Sequence, residues 1–287
     1  MSGAGAGRHF LRVVEVFPPL FPARGYGAGS IDFGRAQREF VEGVKEIAGL
    51  ADYVLVADLR DPSLLKVSSV QSAALLKAQL GVRAVPVIAA RDANRSSVAS
   101  AVLTSFSLGL DSVFLVWGDS YTAPSEPKNV YDFESLNDPI RLSRVLATRA
   151  GVAATIFAPI DITPGSAEGL QRGRSRLAAG ADLLLAQPPT TDSSASFRSH
   201  SRALRESGVQ GRVLLNVFPF RDSRDVRLCA EKFGWTLPPR LLGLANRGEA
   251  ALAEEEREIV RLAKREGLGG VYVSTRGKPG RAAAILG

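Results

Sequence analysis

The feature that most constrains the fold of this chain is a regular alternation of short apolar runs with longer helix-like runs along almost its whole length. Short apolar runs rich in valine, isoleucine and aromatic residues are typical of buried strands. The predicted strands are residues 11–17, 53–57, 84–89, 113–117, 152–157, 182–187, 212–217 and 270–274. The predicted helices are residues 32–49, 68–80, 96–108, 133–150, 166–179, 194–207, 223–233 and 250–266, before a short final helix.

This alternation predicts an α/β fold, a single eight-stranded (β/α)8 barrel of the TIM type. The 287 residues are close to the roughly 250 that are typical of such barrels. We expect one domain over residues 1–287, with a flexible start at residues 1–9. Glycines in short joints between helix and strand, such as Gly81 and Gly151, fit because a helix C-cap favours glycine. An open doubly wound sheet is the rival, but no Gly-x-Gly-x-x-Gly motif opens a helix.

Composition and charge narrow the class of protein. The chain is 45% hydrophobic, and its single cysteine, Cys229, excludes an intramolecular disulfide. No apolar run approaches the roughly 18 residues of a membrane span, and residues 1–8 lack a signal-peptide segment, so we expect a cytoplasmic protein without a membrane partner. The net charge of +7 would suit nucleic acid, but basic residues are interspersed with acids as on solvated helix faces. We therefore expect no nucleic-acid partner, and small anionic ligands remain the alternative.

The carboxyl ends of the predicted strands carry the candidate functional residues, because ligands bind at that end of such barrels. Gly118 and Asp119 follow the fourth strand, where Asp119 either begins a turn or faces a ligand. Glu15 lies before two prolines that stop the first strand, and it is either a structural ion-pair partner or a functional acid. The groups expected at this end are Glu15, Asp58, Asp92, Asp119, Asp161, Gln187 and the corner at residues 218–220.

The residues at these strand ends suit metal-dependent or nucleophilic catalysis less well than catalysis by acids. The two histidines, His9 and His200, lie in the flexible start and in a predicted outer helix, so we expect no metal site; Mg²⁺ bound by carboxylates is the alternative. Neither Cys229 nor a serine has a histidine in a recognisable nucleophile motif. Acids that work with an organic cofactor are the interpretation that remains.

Several motifs resemble those of the 5,10-methylenetetrahydrofolate reductases, which are eight-stranded α/β barrels that carry FAD. Residues 15–19, Glu-Val-Phe-Pro-Pro, resemble the family's Glu-Phe-Phe-Pro-Pro motif, whose glutamate is its catalytic acid. Residues 117–119, Trp-Gly-Asp, resemble its Arg-Gly-Asp, whose aspartate lies beside the flavin. Tyr131 lies where the family has a flavin-contacting tyrosine.

The resemblance continues in the second half of the chain. Residues 178–182, followed by Gln187, are similar to the family's Asp-Ala-Gly-Ala segment and substrate-binding glutamine. Residues 217–220 are similar to the aromatic corner that covers the folate ring system. The sequence departs from the family mainly at flavin contacts: Trp117 replaces an arginine, and Arg172 and Arg176 replace polar flavin-phosphate residues. FAD is accordingly held in a different way or is absent.

The resemblance implies an oxidoreductase that reduces the methylene group of a 5,10-methylene-tetrahydropterin to a methyl group. Glu15 would protonate the leaving nitrogen, and reduced FAD, refilled by NADH or NADPH, would then deliver hydride. Asp119 would stabilise the cationic intermediate, Gln187 would bind the pterin and Phe220 would stack on it. The flavin contacts would be Gly118, Asp119, Tyr131, Arg172 and Arg176.

Two alternatives and two kinds of partner stay open at this point. A flavin-free reductase would pass hydride directly from the nicotinamide, and a non-catalytic protein would serve as a pterin-binding or scaffold subunit of a one-carbon complex. The protein partner would be a second copy of the chain or a redox partner subunit.

Overall fold

The computed structural model describes residues 9–22, 31–59, 64–118, 130–162, 167–187, 195–233 and 239–287. Its strands, in chain order, are β1 (Leu11–Val16), β2 (Leu20–Pro22), β3 (Tyr53–Val56), β4 (Leu64–Lys66), β5 (Ala84–Ala89), β6 (Ser112–Val116), β7 (Thr155–Asp161), β8 (Leu183–Gln187), β9 (Val213–Val217) and β10 (Gly270–Ser274). Its helices are α1 (Phe33–Lys45), α2 (Ser69–Leu80), α3 (Arg95–Ser107), α4 (Asn137–Ala150), α5 (Ala167–Ala179), α6 (Ala195–Glu206), α7 (Ser223–Phe233), α8 (Pro239–Asn246), α9 (Glu249–Arg265) and α10 (Gly280–Leu286).

Eight of these strands form a closed parallel barrel in the order β1-β10-β9-β8-β7-β6-β5-β3. This closed barrel with its surrounding helices confirms the predicted α/β fold of the TIM type. The barrel closes where β1 lies between β10 and β3, with Glu15 paired in register to Ser274 on one side and to Leu55 on the other. That the chain is one domain stays a prediction.

Two layers of apolar side chains stabilise the barrel. One layer fills its interior, and the other lies between the strands and the helices, because successive side chains of a strand point to opposite faces. The interior cluster consists of Val13, Tyr53, Leu55, Val85, Val87, Phe114, Phe157, Leu185, Leu214 and Tyr272. Residues in phase with this cluster along each strand therefore also face the interior, and this phase decides which side chains reach the mouth of the barrel.

Helix ends follow from the local sequence. Asp32 caps α1 by accepting a hydrogen bond from the Arg35 main-chain N–H at 2.8 Å, which satisfies one of the free donors at a helix start. Gly81 ends α2 at a φ of +68°, and Gly151 ends α4 at +65°. These left-handed conformations confirm the prediction that glycine ends these helices.

The structure adds a two-stranded sheet and a helix that the sequence did not predict. Strands β2 and β4 form a small antiparallel sheet after the first and second barrel strands, with Leu20 opposite Lys66. Three-residue strands carry too little periodicity to be recognised before their pairing is known. Helix α8 likewise separates the two helices that were predicted between residues 223 and 266. Within the described ranges, no helix is long and apolar enough to cross a membrane.

Candidate active site

The candidate site is centred on Glu15, which enters the mouth of the barrel from β1. Val13, two residues earlier, packs in the interior cluster, so Glu15 also faces the interior, one layer closer to the carboxyl end. The residue thus lies at the strand end where the sequence placed a candidate acid. Its catalytic role stays a prediction.

Two hydroxyl groups of β10 hold the Glu15 carboxyl. Ser274 donates a hydrogen bond from Oγ to Glu15 Oε2, and the Tyr272 hydroxyl also hydrogen-bonds the carboxyl. Burial raises the pKa of Glu15 above its ordinary value and outweighs these two hydrogen bonds, which lower it. Burial also raises the pKa of Tyr272 well above its usual range, which keeps its hydroxyl protonated. Glu15 therefore favours the neutral form that a general acid needs.

The next two strands continue this row of polar side chains. Asn216 on β9 is the register partner of Tyr272 and is only 2% exposed. Its Oδ1 atom is buried and has no hydrogen-bond partner in the described part of the chain. Gln187 ends β8 two residues after the interior Leu185 and is half-buried. We call these groups the polar arc, which consists of Glu15, Ser274, Tyr272, Asn216 and Gln187.

The side of the mouth formed by β3 and β5 carries charge. The Lys66 ammonium on β4 pairs with the Asp58 carboxylate, which follows β3 and also accepts from the Ala89 N–H at 3.4 Å. Burial and the nearby positive charge of Arg91 lower the pKa of Lys66 to about 8. At neutral pH the ammonium therefore still carries its charge, beside Asp58 at the end of the strand that pairs with β1.

Arg91 and Gly118 meet at the ends of β5 and β6. Arg91 is only 1% exposed, and its Nε donates to Asp92 at 3.0 Å. Gly118 has a φ of +90°, and a Cβ atom there would lie 3.0 Å from the Cβ of Arg91, so a larger residue would be strained in two ways. Gly118 therefore serves the packing of Arg91. Trp117 and Tyr131 stack nearby with ring centroids 4.8 Å apart and an interplanar angle of 6°.

The two arginines predicted to bind the cofactor are bound to groups of the protein. Arg172 pairs with Glu168 at 3.2 Å and with Asp161 at 3.3 Å. Arg176 donates from Nη1 to the Pro159 carbonyl, and burial together with the charge of Arg172 lowers its pKa to about 10. Both side chains lie at the β7 end, next to Gln187 because Asp161 and Gln187 are register partners.

Phe220 packs away from Glu15, and Asp119 cannot be placed because it lies outside the described residues. Phe220 is 2% exposed, and its ring packs with Phe218, Val226 and other residues of a separate apolar cluster beside α7 and α8. Its N–H donates to Glu256 Oε1 at 3.2 Å. That Phe220 stacks on substrate and that Asp119 assists the chemistry stay predictions.

The described residues do not form a metal-binding group. No three histidine, cysteine, aspartate or glutamate side chains lie close enough to hold an ion within the described ranges. The Asp58 carboxylate, which is well placed at a strand end, is already paired with Lys66.

Comparison with known proteins finds neighbours in fold. Neither a protein-family model nor a curated protein matches the sequence. A 2,3-dimethylmalate lyase, a PEP mutase/isocitrate lyase superfamily member, aligns in its triclinic crystal form with a TM-score of 0.57 and 13% identity, over 98% of this chain and 81% of that chain. A protein from Burkholderia cenocepacia J2315 assigned as a phosphonomutase aligns with a TM-score of 0.50 and 15% identity, over 94% of this chain and 90% of that chain. These likenesses establish the fold alone.

The neighbours correct the family and the chemistry expected from the sequence. The resemblance to 5,10-methylenetetrahydrofolate reductases is wrong, because the similar solved structures include members of the PEP mutase/isocitrate lyase superfamily and no family model supports it. The function predicted from that resemblance is therefore also wrong. This covers the reduction of a methylene-tetrahydropterin, by flavin or directly by nicotinamide, and the role in a one-carbon complex. The predicted cofactors, FAD and NADH or NADPH, are wrong for the same reason. Arg172, Arg176 and Tyr131, which were predicted to contact the flavin, each have a partner within the protein.

Several residues of the site, Arg91 among them, were missed from the sequence. Tyr272 and Ser274 are the polar residues of an otherwise apolar strand, two positions apart, and Asn216 interrupts the apolar run of β9. This alternation was a usable signal, because polar residues in phase on a buried strand share one face. Lys66 gave no such signal, since its place depends on the pairing of β2 with β4.

Proposed function

We propose that this protein is an enzyme of the lyase type that acts on a small carboxylate-bearing substrate and uses Glu15 as its proton donor. The observation that carries the proposal is the buried Glu15 carboxyl, held by Ser274 and Tyr272 at the carboxyl end of the barrel, where burial raises its pKa. A protonated carboxyl in this position is poised to give up a proton, as general acids do.

The charged side of the mouth suits the carboxylate of such a substrate. The Lys66 ammonium has three N–H donors, and Asp58 accepts from it. Arg91 adds positive charge beside it. An anionic group bound there would lie above the strand next to Glu15, because β3 pairs with β1.

The step assigned to Glu15 is the protonation of a leaving fragment. The bond between the carbon that bears the substrate's carboxylate and a neighbouring carbon that bears a hydroxyl breaks, and its electron pair remains on the first carbon. That carbon takes the proton of Glu15, while the hydroxyl of the other fragment loses its proton to solvent and becomes a carbonyl. Water then reprotonates the Glu15 carboxylate before the next turnover. Acid catalysis of this kind contributes about 10² to 10⁴ in rate.

The neighbours in fold favour this class of reaction. One is a lyase that acts on 2,3-dimethylmalate, a small acid, and another is assigned as a phosphonomutase. Their identities of 13% and 15% transfer no residue to this chain. The proposal therefore depends on Glu15 and its surroundings.

The test is cleavage of small hydroxylated di- and tricarboxylic acids in D₂O, followed by ¹H NMR. We expect new product signals with one deuterium on the carbon next to the carboxylate, because the exchangeable Glu15 proton is replaced by deuterium. Glu15→Gln should lower the rate by about 10²-fold or more, since an amide keeps the shape of the acid but gives up no proton. Glu39→Gln, an exposed change on α1, is the control and should leave the rate unchanged.

Two results would overturn the proposal. One is Glu15→Gln protein that melts like the wild type and turns over at a near-native rate. The other is wild-type protein that cleaves none of these acids.

A further inference from the structure

Asn216 has a buried oxygen that nothing in the described protein satisfies. The side chain is 2% exposed, and Oδ1 has no hydrogen-bond partner in the described part of the chain. Burying a polar atom without a partner is costly, so such atoms are uncommon in native structures and call for an explanation. One explanation is that a bound ligand donates a hydrogen bond to this oxygen. The location of Asn216 in the barrel shows whether a ligand of the proposed site could reach it.

The side chain of Asn216 faces the interior of the barrel. It is level with Tyr272 across the β9–β10 pairing, and Leu214, two residues earlier, packs in the interior cluster. The Tyr272 hydroxyl hydrogen-bonds the Glu15 carboxyl, so one tyrosine separates the unsatisfied oxygen from the proposed acid. A group bound by Asn216 would therefore lie within the proposed site.

The chemistry of Oδ1 limits what that group can be. A carbonyl oxygen accepts hydrogen bonds, so the ligand must supply a donor, which a carboxylate lacks. An ammonium would be a poor donor here, because a buried cation needs an opposite charge and Asn216 supplies only a neutral amide oxygen. A hydroxyl group fits, since it donates one hydrogen bond and carries no charge.

We propose that Asn216 is a specificity-determining residue that accepts a hydrogen bond from a substrate hydroxyl, so that the site selects hydroxy acids over the corresponding unsubstituted and amino acids. This inference rests on the proposed function, whose carboxylate-bearing substrate it makes more specific. A site built to hydrogen-bond a hydroxyl discriminates strongly against analogues that lack it, because its own polar group is then left unpaired.

The test compares acids that differ in one substituent. Binding of malate (both enantiomers), succinate and aspartate, and of lactate, propionate and alanine, is measured by isothermal titration calorimetry with the full chain. We expect the hydroxy acid of at least one set to bind about tenfold or more tightly than its unsubstituted analogue. The amino acid should bind no more tightly than the unsubstituted acid.

Two variants connect this preference to Asn216. Asn216→Leu should lose the preference, by a tenfold or greater weakening of hydroxy-acid binding, and leave the unsubstituted acid within about threefold of its wild-type affinity. Its Tm in the absence of ligand should equal or exceed the wild-type value, because the change removes an unsatisfied buried group. Asn137→Ala is the matched control, since Asn137 pairs with Ser175 between α4 and α5, and it should keep the preference.

The outcomes separate this inference from the proposed function. Equal binding of hydroxy and unsubstituted acids, or a preference that survives in Asn216→Leu, overturns the role of Asn216 and leaves the carboxylate site standing. Failure of the wild type to bind any of these acids overturns both.

Discussion

The Ser274 hydroxyl donates a hydrogen bond to the Glu15 carboxyl across the pairing that closes the barrel, from a residue 259 positions away in the sequence. The first and last barrel strands must therefore meet before the candidate acid has its partner. Formation of the site is thus coupled to closure of the fold, and changes at this pairing should affect both the acidity of Glu15 and the stability of the barrel.

We expect Ser274→Ala to raise the pKa of Glu15 further. Burial raises the pKa of Glu15 and the Ser274 hydrogen bond lowers it, so removing the hydrogen bond lets burial raise the pKa further. The measurement is a ¹³C NMR titration of protein labelled at glutamate Cδ, with the Glu15 resonance assigned by its absence in Glu15→Gln. Thr275→Val is the control, because the Thr275 hydroxyl donates at 2.6 Å to the main-chain carbonyl of Glu15 and not to its carboxyl. An unchanged or lowered pKa in Ser274→Ala would show that the hydrogen bond does not govern the acid.

Gly270→Ala should destabilise the closed barrel by about 3 kcal/mol or more. A Cβ atom at Gly270 would overlap the main chain of Leu11, which cannot move aside without separating β10 from β1. Gly43→Ala on α1 is the matched control, since a Cβ atom there has nothing within 4 Å and alanine favours helix by about 1 kcal/mol. Guanidinium unfolding should show the midpoint falling in the first variant and rising slightly in the second. Equal midpoints would mean that the pairing tolerates a side chain at residue 270.

How far the sequence predicts this structure depends on which physical signal a residue leaves in the chain. The strand-and-helix alternation, and glycines such as Gly81, were sufficient for the barrel because each unit repeats the same local pattern. Glu15 could be found for a similar reason, as a carboxylate inside an apolar strand. Lys66 could not be found, because its ion pair with Asp58 depends on the pairing of two three-residue strands. Motif resemblance predicted the wrong reaction, since short matches along a common barrel do not specify a reaction.

The Asp225–Arg276 ion pair should be a strong contributor to stability. Asp225 is 2% exposed and accepts from Arg276 Nη1 at 2.7 and 2.6 Å. Asp225→Asn removes one charge and leaves the partly buried guanidinium unpaired, which costs about 3 to 5 kcal/mol. The double variant Asp225→Asn/Arg276→Met should lose less unfolding free energy than the sum of the two single variants. The reason is that the double variant leaves neither charge without its partner. Strict additivity in urea unfolding would show that the pair contributes no coupling.

The same pair predicts a dependence of stability on pH. Burial acts to raise the pKa of Asp225, but hydrogen bonds and charges from Arg276 and Arg221 outweigh it and hold the pKa below its ordinary value of 3.8. Because the folded-state pKa is lowered, this contribution is fully present above pH 3.8 and is lost as the pH falls through the folded pKa. The difference in stability between wild type and Asp225→Asn should therefore be largest near neutral pH and shrink in acid.

Glu256 should make the protein less stable as the pH rises through the physiological range. The side chain lies in α9 and is 5% exposed, and its Oε2 has no hydrogen-bond partner in the described part of the chain. Burial raises the pKa of Glu256 to about 8, against the opposing hydrogen bond from the Phe220 N–H. The folded state therefore holds a proton that the unfolded chain releases near pH 4.5, so the stabilising contribution is present below pH 4.5 and is lost progressively up to about pH 8.

Glu256→Gln should remove this dependence, because glutamine keeps the acceptor for the Phe220 N–H and has no proton to lose. Above pH 8 the variant should be more stable than the wild type by on the order of 4 kcal/mol, since each unit of pKa shift corresponds to about 1.4 kcal/mol. Glu254→Gln in the same helix is the control: hydrogen bonds from Arg257 and Arg261 lower the pKa of that exposed carboxyl, so its removal should not relieve any loss at high pH. Unfolding free energies from urea titrations between pH 5 and pH 9 decide the matter. Parallel curves for wild type and Glu256→Gln would mean that Glu256 titrates normally and that α9 admits water to its carboxyl.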